Sequence, residues 1–185
     1  MTSAPAHPPV AYEATLPLSW RRVDGDAGAA DFDRTNLLLL RLAMFMEEPP
    51  AEPGEGSGAD LHRLEAKVDL LLQLELERQL AGAPLPEAVP VCLSAGELAW
   101  VAAAVPVAGE EVEVALHLAP GQLPPLRLRG RGVAATAAGE AREATVRLDM
   151  APALAEALER FVFRQHRRAV ARRRHGTGKQ EQSGG

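Results

Sequence analysis

Glu111-Val112-Glu113-Val114-Ala115-Leu116-His117-Leu118 is the stretch on which the fold turns. Val112, Val114, Leu116 and Leu118 fall on one side of an extended chain, and Glu111, Glu113 and Ala115 on the other. A period of two with one apolar side is the mark of a half-buried antiparallel strand. The same period recurs downstream. Leu126 and Leu128 alternate with Arg127, Arg129 and Arg131, and Ala144, Val146 and Leu148 alternate with Thr145, Arg147 and Asp149. Turn signals at Ala108-Gly109, Pro120-Gly121 and Ala138-Gly139 separate the runs. Short strands at this spacing predict a small antiparallel barrel over Pro90–Asp149, with Val112, Val114, Leu116, Leu128, Val146 and Leu148 facing inward. A slip of one residue in any strand would turn all its side chains to the other face.

Helical patterns lie on both sides of the barrel, so the fold class is α+β. Asp149-Met150-Ala151-Pro152 opens a C-terminal helix, since proline suits a first turn, and Leu154, Leu158, Phe161 and Val162 form its inner face. Upstream, Tyr12–Val23 alternates weakly and reads as an edge strand. After a loop at Gly25–Ala30, Asp31 or Asp33 is an N-cap candidate for a helix through Asn36-Leu37-Leu38-Leu39-Leu40-Arg41-Leu42-Ala43-Met44-Phe45-Met46. Pro49 to Gly58 reads as a flexible linker or an exposed loop. A second helix, Asp60 to Leu80, would be about 31 Å long. Leu61, Leu64, Val68 and Leu71 follow a heptad-like seam, and Leu72, Leu76 and Leu80 broaden it. A helix apolar on two faces must bury both, against its own domain or against copies of itself. The expected organisation is an N-terminal strand and loop at 1–30, a helical oligomerisation region at 31–82, a barrel with its closing helix at 86–174, and a disordered tail at 175–185.

The chain has 185 residues, with 16 Gly, 15 Pro, and a net charge of −5. Residues 160–174 hold seven arginines and no acid, so the rest of the chain carries −12. A body this acidic confines any polyanion contact to the C-terminal helix. Even there the cations suit the negative pole of a helix dipole, and no aromatic residue follows Phe163 to stack on bases, so nucleic acid is not an expected partner. Met1–Pro17 has neither the basic nor the apolar region of a secretory signal. No run approaches the roughly 18 apolar residues that span a bilayer. With the single Cys92, this leads to the expectation of a soluble, cytoplasmic protein without membrane insertion. No HExxH, CxxC, GxxxxGK[ST] or GxSxG motif is present, and His7, His62, His117, His166 and His175 never fall at metal-ligand spacing. The expectation is a protein without catalytic residues, metal or cofactor. Cys92 with His117 as a thiolate pair is set against the plainer reading of a small apolar residue on a buried strand. Arg127, Arg129 and Arg131 are set either as a polar face paired with Glu111, Glu113 or Glu143, or as an anion-binding wall.

Arg63-Leu64-Glu65-Ala66-Lys67-Val68-Asp69-Leu70-Leu71-Leu72 resembles the helix of atypical PilZ proteins, the tetrameric class named as cyclic di-GMP receptors. The resemblance extends to Leu16-Pro17-Leu18-Ser19-Trp20-Arg21, to Asn36-Leu37-Leu38-Leu39-Leu40-Arg41, to Val91-Cys92-Leu93-Ser94-Ala95-Gly96-Glu97-Leu98-Ala99-Trp100 and to Phe161-Val162-Phe163-Arg164-Gln165-His166-Arg167-Arg168. It implies a PilZ-like barrel with two N-terminal helices and a C-terminal one. It also implies a homo-oligomer, as a tetramer, assembled through Leu61, Leu64, Val68, Leu71 and Leu72, and cyclic di-GMP as the ligand to consider. Ordinary PilZ domains hold that dinucleotide with an RxxxR segment before the first barrel strand and a [DN]xSxxG motif after it. Guanidinium groups there grip phosphates and guanine edges. Here Ser94 matches, Cys92 replaces the Asp/Asn, Glu97 replaces the Gly, and Leu85–Pro90 contains no arginine. Two expectations follow. In one, the chain is an oligomeric adaptor with a degenerate ligand motif, whose barrel or Arg-rich tail serves an unnamed protein partner. In the other, it is a direct cyclic di-GMP receptor whose affinity comes from relocated arginines, Arg21 and Arg22 or the Arg127, Arg129, Arg131 wall, with the surviving Ser94 adding about one neutral hydrogen bond.

Overall fold

The computed structural model describes residues 10–23, 29–46, 68, 75, 84–138 and 141–177. Six strands and two helices are defined among them. They are β1 (Tyr12–Arg22), α1 (Ala29–Met46), β2 (Ala88–Leu93), β3 (Glu97–Ala102), β4 (Glu111–Leu116), β5 (Leu126–Ala138), β6 (Ala141–Asp149) and α2 (Pro152–Thr177). The expected helix Asp60–Leu80 lies outside the described residues, apart from Val68 and Glu75, which are helical and exposed. Leu61, Leu64, Leu71 and Leu72 lie outside them.

The strands close into a barrel in the order β1-β2-β3-β6-β5-β4, with each neighbouring pair antiparallel. Closure corrects the reading of Tyr12–Val23 as an edge strand in a unit separate from the barrel. β1 serves two neighbours, pairing Tyr12–Pro17 with β2 and Leu18–Arg22 with β4. The change of partner falls at Pro17, which has no N–H to contribute to a ladder. Its carbonyl accepts the His117 N–H at 3.0 Å, and the next amide, Leu18, donates to Glu87 at 3.2 Å. Shared in this way, β1 leaves the barrel no open edge to template aggregation.

The predicted inward set is borne out. Val112, Val114, Leu116 and Val146 are fully buried, and Leu128 and Leu148 nearly so. Inside the barrel they join Leu93, Leu98 and Trp100, and one continuous core extends to Leu40 and Ala43 of α1 and to Leu154, Leu158, Phe161 and Val162 of α2. Each buried Val, Leu or Phe among them contributes about 1.5–3 kcal/mol by leaving water. Gly130 also faces inward, and a Cβ there would run into the Arg147 carbonyl oxygen, so only glycine lets β5 approach β6 so closely. A bulge between Gly132 and Ala134 then resets the β5–β6 register.

The helix boundaries differ from the sequence expectation at two ends. α1 begins at Ala29, so Asp31 and Asp33 lie inside it and neither is its N-cap. The Asp33 carboxylate instead accepts the Ala151 N–H at 2.8 Å, at the residue whose carbonyl opens α2 by accepting from Leu154 and Ala155. A carboxylate at that end suits the helix dipole. α2 starts at Pro152 as expected and runs through residue 175, the expected start of the tail, to Thr177. Among the described residues, no helix is long and apolar enough to cross a membrane.

Candidate functional site

The outer face of β1, β4, β5 and β6 gathers most of the arginines singled out by the sequence. Arg21, Glu113, Arg129 and Asp149 stand opposite one another in one row across these four strands. One step along, Glu111, Arg131, Arg147 and Glu97 form a second row across β4, β5, β6 and β3. Alternation puts all eight side chains outside the barrel, as the period of two requires.

Glu113 departs from the expectation for an outward carboxylate. It is only 5 % exposed, although Val112 and Val114 hold the register that points it away from the interior. Arginines cover it. Arg21 Nη2 donates to Oε2 at 2.8 Å, and Arg127 and Arg129 each bring a guanidinium nitrogen to 3.8 Å. The last two distances are Coulombic contacts rather than hydrogen bonds. Phe32 of α1 roofs the cluster, with the Arg127 and Arg129 guanidinium carbons 5.7 and 5.5 Å from its ring centre. Arg21, Arg127 and Arg129 against Glu113, with Asp149 opposite Arg129, leave one positive charge in excess, and beside them Arg129, Arg131 and Arg147 line a groove of about 1000 Å³ shared with Asp33, Glu111 and Asp149. The groove is therefore mixed in sign.

The remaining arginines are held by carboxylates as well. Arg131 Nη2 donates to Glu111 at 2.6 Å, and Arg22 pairs with Glu110. The Glu110 carboxyl sits below the usual carboxylate range, first because the Val107 N–H donates to it and second because Arg22 does. Thus the plainer reading of the Arg127, Arg129, Arg131 wall describes its partners, Glu111 and Glu113. Arg21 and Arg22 share that arrangement.

Ser94 lies elsewhere, in the turn between β2 and β3. Its hydroxyl accepts the Glu97 N–H at 3.0 Å and donates to the Glu97 carbonyl at 3.1 Å, and its own amide bonds that carbonyl at 2.9 Å. The one matching residue of the ligand motif is spent on the turn that Ser/Thr side chains commonly close. Next to it, between the turn and α2, is a hollow of about 530 Å³ lined largely by apolar groups.

Cys92 and His117 do not meet as a pair. Cys92 stands opposite Glu13 on β1, whereas His117 bonds Pro17, four positions further along the strand or about 13 Å. Burial, then Glu13 and Glu143, push the Cys92 thiol up, and burial holds the His117 imidazole down. Both directions oppose a thiolate–imidazolium pair. No group of three or more metal-ligating side chains occurs among the described residues.

Sequence reasoning missed two residues that shape this face. Asn36 Nδ2 donates to the Arg127 carbonyl at 2.7 Å, and its Oδ1 accepts the Arg127 N–H at 3.0 Å, which docks α1 on β5. Its signal was an asparagine on the buried side of a leucine run. Phe32, the roof of the cluster, had no local signal, because its partners are distant in the chain.

No curated protein matches the chain in sequence. A pathogenic protein from Xanthomonas campestris, described as a tetrameric PilZ domain self-assembled through an unusual helical bundle, has the same fold. It superposes with a TM-score of 0.73 at 23 % identity, over 88 % of this chain and 91 % of that one. The family model for the atypical PilZ domain, cyclic di-GMP receptor, matches residues 39–175. With that span and a closed antiparallel barrel flanked by helices, the chain belongs to the atypical PilZ domain family.

Proposed function

We propose that this chain is a non-enzymatic, oligomeric adaptor of bacterial cyclic di-GMP signalling, working in the cytoplasm through a protein partner rather than by gripping the dinucleotide itself. One observation carries the reading. Each arginine that would hold a phosphate on the barrel face has a carboxylate of this chain beside it, and Ser94 serves a turn. A dinucleotide would need to displace several of these contacts before gaining its own. Oligomerisation is supported by the leucine pattern at 60–80, by the exposed Leu38, Phe45 and Met46 on α1 just before it, and by the helical bundle described for the Xanthomonas protein.

The receptor reading rests on a different observation, the surplus positive charge where Arg21, Arg127 and Arg129 meet at Glu113. Calorimetric titration with cyclic di-GMP separates the two. The adaptor reading expects no binding tighter than about 10 μM. Tighter binding, abolished by Arg21→Ala with Arg22→Ala or by Arg127→Ala with Arg129→Ala and untouched by Ser94→Ala, would establish the receptor. Binding lost by Ser94→Ala alone, in a variant that folds normally, would overturn both assignments of the site.

A further inference from the structure

We propose that the Arg160–Arg172 face of α2, together with the hollow at the β2–β3 turn, docks an acidic segment of a partner protein that leads with one large apolar side chain. The inference rests on the adaptor reading and names the kind of partner. The hollow is lined by Val10, Ala95, Val162, Phe163, Glu159 and Arg160, and Phe163 is 51 % exposed. Because the Ser94 hydroxyl is turned to its own loop, the walls are chiefly alkyl and aromatic. This socket has room for a leucine or phenylalanine side chain and offers little to a phosphate.

The arginine row starts at the rim of that socket. Arg160, Arg164 and Arg167 repeat at helical spacing on one face, with Arg168 and Arg172 on its flank. Arg160 to Arg172 spans about 18 Å. Arg167 lies over the Phe163 ring at 5.9 Å, which joins the apolar socket to the cationic row. The Arg160–Glu156 pair at 2.7 Å is exposed on both sides, and such pairs yield readily to a better-placed carboxylate. Residues 160–174 contain no acid, and the carboxylates bordering them, Glu156, Glu159 and Glu13 (3.8 Å from Arg173), are fewer than the arginines, so the face keeps an excess of cations complementary to a short run of carboxylates.

Two other occupants fit less well. A nucleic acid strand would extend beyond the row over a body carrying −12, and would leave the socket empty. The chain's own stretch 47–60 has five acids, but between them only Pro, Ala, Gly and Ser, with no large apolar side chain to seat.

The test uses the full chain and a fluorescent synthetic peptide of about a dozen residues, with a Leu-Leu pair followed by glutamates at helical spacing. Fluorescence anisotropy should show saturable binding on the order of 10–100 μM at low salt. Arg164→Glu with Arg167→Glu should weaken it at least about tenfold, as should serine in place of the peptide's leucines, a change that leaves the protein intact. Absence of peptide binding would overturn the proposal. So would equal binding of the serine peptide, equally tight binding of a single-stranded oligonucleotide of the same charge, or equally tight competition by a synthetic 47–60 peptide. Cyclic di-GMP titration reads the adaptor proposal separately. A chain that binds the dinucleotide tightly and also the peptide loses the adaptor reading alone, and one that binds neither loses the docking face alone.

Discussion

His117 follows directly on β4 with 8 % of its surface exposed, its amide on Pro17 and its Nδ1 without a hydrogen-bond partner among the described residues. Burial disfavours the imidazolium, so the folded-state pKa lies below the ordinary value of 6.5. The unfolded chain then binds the proton more readily than the folded one. The neutral ring's contribution is fully present above about pH 6.5 and is lost as pH falls from there through the folded-state value. Urea midpoints measured at about pH 7.5 and about pH 5.5 should therefore fall with acid, and His117→Leu should reduce that fall. An unchanged fall in the variant would place the acid sensitivity in other groups. At the same scale, Ser94 illustrates how one side chain can match a ligand motif and yet be occupied. Its hydroxyl already has both a donor and an acceptor within the turn.

Helix α1 is fastened to the barrel at a point where the sheet's own pairing has stopped. β6 pairs with β5 only as far as Asp149 opposite Arg129, and two residues beyond it the backbone groups of Arg127 are taken by the Asn36 side chain. Asn36 is 1 % exposed, so removing its amide strands a buried N–H and a buried C=O together. Asn36→Ala should cost about 2–4 kcal/mol in urea unfolding, and hydrogen exchange should rise in α1 before it rises in β2 or β4. A cost below about 0.5 kcal/mol would mean that Leu40 and Ala43 hold the helix without it. The contrast with what was legible is physical. Strands β4, β5 and β6 and the inner face of α2 showed in the sequence because one face is apolar and the period is local. The closing role of β1 did not show, since its two partners lie far along the chain and its pattern only wavers at Pro17. The burial of Glu113 was equally hidden, because β1, β5 and α1 together decide it. As for the candidate site, the arginines could be picked out by alternation, but the carboxylates that engage them became visible only with the register.

For the whole molecule, the question is what covers the apolar surface that the barrel does not. α2 and the inner side of α1 share the barrel's core, while Leu38, Phe45 and Met46 on the outer side of α1 remain 58 %, 68 % and 45 % exposed. The next helical pattern, from Asp60 to Leu80, has leucines on two faces, and Val68 in its seam is 46 % exposed. One small barrel cannot cover both, and exposed apolar surface on that scale is normally an interface. If copies of the chain assemble through it, Val68→Glu with Leu71→Glu would force carboxylates into a dry seam, where unpaired charge costs several kcal/mol. Light scattering should then show the unmodified chain as an oligomer, with a tetramer expected from the family resemblance, and the double variant as a smaller species. Circular dichroism should be nearly unchanged in its β component, because both positions fall outside the six strands and the described core does not include Val68. An unmodified chain that stays monomeric at high micromolar concentration would refute the assembly, and the same exposed surface would then have to be covered by a different protein.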